Sequence, residues 1–159
     1  MASYVLPRVL HVLCIVLWIG GVAFVTTVLL PSIARIKAPE ERVAFFEMIE
    51  GRFAWQSRVT TLLAGASGFY LVYEIDAWSW FLEPSRWYLH VMVLVWLLFT
   101  MMLFVLEPLV LGDLFQRRAK IDPERTFRFI SRMHWVLLSI SLLAVAGAVA
   151  GAHGWLLHP

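Results

Sequence analysis

The sequence predicts an all-α integral membrane protein: one bundle of four transmembrane helices, with both termini on the outer side. Three observations carry that expectation. Of 159 residues, 61% are hydrophobic and only 15% charged, where a soluble domain of this size is roughly a quarter charged; the mean hydropathy is +0.79. Four apolar spans each approach the ~20 residues that cross a bilayer. None alternates as a strand would, and in lipid such a span satisfies its backbone internally as a helix. No remaining stretch is long and polar enough for a second domain, so residues 1–159 read as one. The net charge of +2 resides in loops between apolar spans, which points to membrane orientation and away from nucleic acid. The lone cysteine, Cys14, excludes an intrachain disulfide.

The first span runs from about Tyr4 to Leu30 and is expected to end at Pro31. It starts too early and runs too long for a cleavable signal core. The first loop, Ser32 to Ala54, carries Arg35, Lys37, Arg42 and Arg52. Within it, Pro39-Glu40-Glu41 followed by apolar residues at helical spacing to Ile49 predicts an amphipathic surface helix. The second span covers about Trp55 to Tyr73, and a short acidic, aromatic loop from Glu74 to Arg86 leads to the third, Trp87 to Leu111. The third loop, Gly112 to Met133, carries Arg117, Arg118, Lys120, Arg125, Arg128 and Arg132. Inside it, Asp122-Pro123-Glu124 has the pattern of a helix start, so the fourth helix is expected to begin well before its span, Trp135 to Leu157. Loops one and three are basic and lie on one side; the positive-inside rule therefore puts both termini outside, in the periplasm of a bacterium.

Trp55, Trp78, Trp80, Trp87, Trp135 and Trp155 fall near span ends, as an aromatic belt requires, while Trp18 and Trp96 lie deeper and are expected to pack inside. Gly147 and Gly151 form a GxxxG step, and Ala64-Gly65-Ala66-Ser67-Gly68 is a similar small-residue stretch; close helix packing is the ordinary use of both. Gly20-Gly21 can pack a helix or make room for a flat cofactor.

A histidine inside an apolar span costs several kcal/mol unless partnered, so His11 and His90 mark a functional hypothesis. By topology His11, His90 and His153 converge on the outer half of the bundle, from three different helices. His158 follows close to the terminus, and His134 stands alone toward the inner side. Arg8 precedes His11 by three residues and Arg86 precedes His90 by four, placing an arginine one turn nearer water on each histidine's face. That layout suits a haem: iron ligated by His11 and His90, propionates bonded by Arg8 and Arg86, with His153 as an alternative ligand or proton acceptor. Copper competes, because Cys14 shares a face with His11, and Met92, Met101 and Met102 offer thioethers in the third span. Arg58 and Glu107, near the inner ends of their spans, could pair or line a quinone or proton route; interfacial anchoring is the simpler reading.

The first-span His11 with Trp18-Ile19-Gly20-Gly21, then Arg52-Phe53 and the small-residue second span, then Trp87-Tyr88-Leu89-His90 opening the third, resemble a set of four-helix bacterial membrane proteins. These include CopD-like copper-resistance domains and HemJ-type protoporphyrinogen oxidases. The resemblance implies a bacterial inner-membrane location and His11 as a ligand of haem b. The HemJ-type pattern has a lysine two residues after the third-span histidine, where this chain has Met92. The expected function is that of a haem b protein passing electrons between an outer-side partner and quinone or a larger membrane complex. The alternatives are copper transport or tolerance, porphyrinogen oxidation, and a cofactor-free structural subunit. Whether the chain is an enzyme is open at this point. Its expected surroundings are the lipid bilayer and a protein partner.

Overall fold

The computed structural model describes residues 4–155, apart from the side chains of residues 110–112; His158 and the end of the fourth span at Leu157 lie outside the described residues. Those described form helices and short connections, with no strand among them. Helix α1, Val5–Ile36, and α2, Pro39–Glu74, meet at a two-residue extended hinge. Two 3₁₀ turns, Ala77–Leu82 and Pro84–Arg86, lead to α3, Trp87–Met101. Helix α3 widens into a π-helical segment, Met102–Leu111, and continues as α4, Gly112–Ile121. Helix α5 spans Pro123–Ala152. Three helical stretches are long and apolar enough to cross a membrane: Val5–Ile36, Pro84–Leu109 and Pro123–Ala152.

Pro31 does not end the first helix. A π-helical turn, Val25–Leu29, sits just before it, and the chain stays helical to Ile36. A proline lacks an N–H and its ring crowds the carbonyl four residues back; widening the preceding turn relieves that crowding. The Thr26 and Thr27 hydroxyls each donate to the carbonyl four residues back, Val22 and Ala23, at 2.7 Å. The hinge at Lys37–Ala38 is extended, as a residue before proline must be. Arg42 closes it by donating from Nε to Lys37 O (3.0 Å) and from Nη2 to Ala34 O (2.9 Å), satisfying carbonyls at the end of α1.

The expected surface helix over Pro39 to Ile49 is the first part of α2, which runs unbroken for 36 residues, about 54 Å at 1.5 Å per residue. The expected early start of the last helix is present: Asp122 is the N-cap, its carboxylate accepting from Arg125 N at 2.9 Å.

The long helices pack side by side, α1 on α2, α3 on α5, and α5 against all three others. The first turns of α1 and α3 meet the last turns of α2 and α5 at one end of the bundle, the terminal end. The opposite end, holding α4, the hinge and most of the arginines, is the basic end. Gly147 and Gly151 take the ring of α3: a Cβ on Gly147 would lie 2.8 Å from Tyr88 Cβ, and one on Gly151 would overlap the Tyr88 ring. Trp18, 2% exposed, stands edge-on to Phe99 (4.9 Å between centroids) in the central core with Cys14, Val22, Val95 and Leu138. Trp96 donates Nε1–H to Thr61 O at 3.0 Å across Gly65. A second core at the basic end joins Leu30, Ile33, Val43, Phe46, Phe115, Phe127 and Ile130.

Candidate functional site

Between the two cores, α1, α2, α3 with its π-helical continuation, and α5 line a small, mostly apolar cavity. Glu50, Ser57 and His134 line it among apolar side chains that include Val22, Phe99, Met102 and Leu103. Its volume is about 30 Å³, room for one or two waters. His134 is 6% exposed, the most buried histidine among the described residues. Its Nδ1 lies 2.9 Å from Ile130 O, one turn back on α5. A carbonyl only accepts, so Nδ1 carries the hydrogen. The ring is held edge-on by Phe46, at 5.5 Å and 90°, and Nε2 faces Glu50 Oε1 at 3.7 Å. Ser57 Oγ is buried and has no hydrogen-bond partner among the described residues.

Two further pairs flank the cavity. Gln116 on α4 donates to Glu47 Oε2 at 2.9 Å, while Glu47 Oε1 is buried without a partner. Burial pushes the Glu47 carboxyl above its ordinary range; the Gln116 bond draws it back, and the negative charge of Glu50 adds to the rise. Arg58 reaches from α2 to the π-helical segment: its Nη2 lies 3.2 Å from Glu107 Oε1, and its Nε donates to Leu103 O at 3.0 Å. In a π-helix the carbonyl of residue 103 would be met by the N–H of residue 108. That residue is Pro108 and has none. Arg58 supplies the missing donor and the counter-charge with one side chain.

At the terminal end the histidines are placed separately. His11 Nδ1 lies 2.8 Å from Ala64 O and 3.3 Å from Ser67 Oγ on α2. Its ring rests on Gly68, where a Cβ would sit 2.9 Å from Cε1. Nδ1 is thereby the donor and Nε2 the nitrogen with a lone pair. His90 faces outward, edge-on to Phe81 at 5.6 Å. His153 is also exposed and donates from Nδ1 to Val149 O of its own helix at 2.8 Å. Helices α1 and α3 face each other across the bundle, with Trp18 and Phe99 meeting between them. Arg86 is bonded to Glu83 at 2.6 Å and lies over the Trp80 ring at 3.9 Å; Arg8 is exposed on α1. Gly21 is filled by the Phe53 ring, and Gly20 opens outward. Cys14 is buried in the central core with Met92 packed against the same cluster, whereas Met101 faces outward and Met102 lines the cavity beside His134. Among the described residues no three His, Cys, Asp or Glu side chains gather as a metal set.

Glu50 and Ser57 were not marked by the sequence, and His134 was set aside as solitary. A signal was present: Val43, Phe46, Glu50, Ala54, Ser57, Thr61 and Ala64 repeat at intervals of three and four, so Glu50 lies in the stripe α2 buries. No family model, curated protein or solved structure matches the chain.

Proposed function

We propose that the chain is a four-span inner-membrane protein that would hold haem b through His11 and passes electrons between an outer-side partner and quinone or a larger membrane complex. The observation that carries the proposal is the seat of His11. A ligating histidine is held by a hydrogen bond from its other ring nitrogen to a carbonyl or carboxylate, which sets tautomer and orientation. His11 has that support from Ala64 O on a neighbouring helix, leaving Nε2 for iron. His90 and His153, from the same end, are the candidates for the second ligand. Haem supplies the one-electron chemistry when bound; this chain supplies the ligand, its orientation and the packed apolar surroundings. The resemblance of the His11 and His90 segments to HemJ-type and CopD-like proteins supports the same assignment.

In this reading α2 crosses the bilayer between Trp55 and Tyr73, its Arg58 entering as a pair with Glu107. The arginines of the basic end face the cytoplasm and both termini face the periplasm. Copper is the second reading, favoured by Cys14, a turn from His11, and by Met92 packed against the same core cluster as Cys14.

The test is a reduced-minus-oxidised visible spectrum of the purified protein, with iron and copper measured on the same sample. The haem proposal expects a b-type signal and about one iron per chain, lost in His11→Ala and shifted or lost in His90→Ala or His153→Ala. An unchanged spectrum in His11→Ala overturns the ligand assignment. Bound copper without haem, weakened by Cys14→Ala, selects the second reading.

A further inference from the structure

We propose that the buried His134 and the part-buried Glu50 form a proton-binding pair toward the basic end, completed by one water held with Ser57. The proposal is independent of any haem. It starts from a conflict between two acceptors. His134 commits the hydrogen on Nδ1 to Ile130 O, so in the neutral ring Nε2 is a bare lone pair. That lone pair faces a Glu50 carboxylate oxygen 3.7 Å away, and an ionised carboxylate is acceptor-only. Two acceptors in a low-dielectric site repel unless a donor lies between or beside them. Either a water donating to both or a proton on Nε2 supplies it; the proposal is the proton, which turns the contact into an imidazolium–carboxylate pair.

The cavity supplies the rest. Its volume of about 30 Å³ admits a water, and a buried water needs two to four polar partners. Nε2–H, the Glu50 carboxylate and the Ser57 hydroxyl are three. Ser57, 2% exposed and without a partner, is a polar group whose burial costs free energy unless something bonds it.

The charges of Glu47 on α2 and Glu107 on the π-helical segment act on Glu50, and the neutral Gln116 of α4 bonds Glu47. Arg58 is engaged by Glu107 and Leu103 O and does not neutralise Glu50. On α5 itself Arg132 is exposed, and Arg128 pairs with Glu124. Helix α1 contributes apolar Val22 to the cavity wall. Loading moves one proton from hydronium at the basic end onto Nε2, leaving water behind and imidazolium within; Glu50 stays ionised as its counter-ion. Glu47, one turn nearer that end than Glu50, marks the side of entry.

The test is nitrogen NMR of the full chain in lipid nanodiscs with ¹⁵N-labelled histidine, the His134 signal being assigned by its absence in His134→Gln. The expected result at neutral pH is a doubly protonated His134 ring in the wild type, with loss of the Nε2–H signal in Glu50→Gln and its return in Glu50→Asp. The His11 signal reports whether each variant is folded. Should Glu50→Gln not fold, the wild-type signal decides alone. A His134 that stays singly protonated in the wild type overturns the proposal. So does a doubly protonated ring indifferent to Glu50→Gln, or a signal that moves when a chelator strips metal from the sample.

Discussion

The two ends of the bundle are held by different chemistry. At the terminal end, helices close on glycines, and His11 and His153 bond backbone carbonyls, Ala64 O and Val149 O. At the basic end, side chains bond or face each other across large gaps in sequence: Glu47 with Gln116, Glu50 with His134, Arg58 with Glu107. Both π-helical segments lie toward that end, each tied to a proline. A backbone carbonyl is available on any helix, so the terminal-end histidines are individually satisfied and individually replaceable. The basic-end groups depend on specific partners, and removing one leaves another stranded in an apolar site.

Arg58 gives the largest contrast. Arg58→Leu leaves Glu107 without its cation and Leu103 O without a donor. Breaking a buried pair costs about 3–5 kcal/mol; with both side chains roughly 30% exposed, about 3 kcal/mol is expected, read as lost stability to denaturant in detergent. Pro108→Ala restores an N–H to the helix, so it should recover about 1 kcal/mol in the Arg58→Leu background, a typical hydrogen-bond contribution. A simple additive result would mean that the Leu103 bond is incidental.

The terminal end breaks by volume instead. Gly147→Ala and Gly151→Ala are each expected to cost about 1–3 kcal/mol through overpacking against Tyr88. The two should respond differently to Tyr88→Ala. At Gly151 the obstacle is the Tyr88 ring, which that change removes; at Gly147 it is the Tyr88 Cβ, 2.8 Å away, which alanine keeps. Rescue of Gly151→Ala alone, in thermal unfolding, is the expected outcome; equal rescue of both would show that the helices reseat.

What could be read in advance follows the same division. Helix class, the GxxxG seam and the cap at Asp122 rest on local pattern and lipid's demand for closed backbone hydrogen bonds, and each is visible within a few residues. The Trp18 and Trp96 interiors were legible for the same reason. The continuation past Pro31 was not, because it depends on the wider turn at Val25–Leu29. The Glu50–His134 contact was hidden by distance along the chain. His134 looked solitary only because histidine was sought as its partner, whereas the residue opposite it is a carboxylate on α2. The Arg58–Glu107 pair was legible as two residues at one depth; the role of Leu103 O was not, since it follows from the π-helical register around Pro108.

The smallest expected effect is electrostatic and separates the ends by pH. Burial and Glu50 raise the Glu47 carboxyl above its ordinary range. Between the ordinary and the raised value the folded protein binds more protons than the unfolded chain, so stability there falls as pH rises. Above the raised value the cost of the buried charge is fully present; below the ordinary value it is absent. Glu47→Gln should therefore stabilise at neutral and alkaline pH, by no more than about 0.5 kcal/mol for a part-exposed, solvent-screened group, and the gain should vanish as pH falls through the ordinary carboxylate range. In Glu50→Gln the pH-dependent gain should shrink, because one cause of the rise is gone. Gly147→Ala, acting through volume at the other end, should cost the same at every pH. A Glu47→Gln gain that is flat with pH would place its origin in packing, and the two ends would then differ in partners but not in charge.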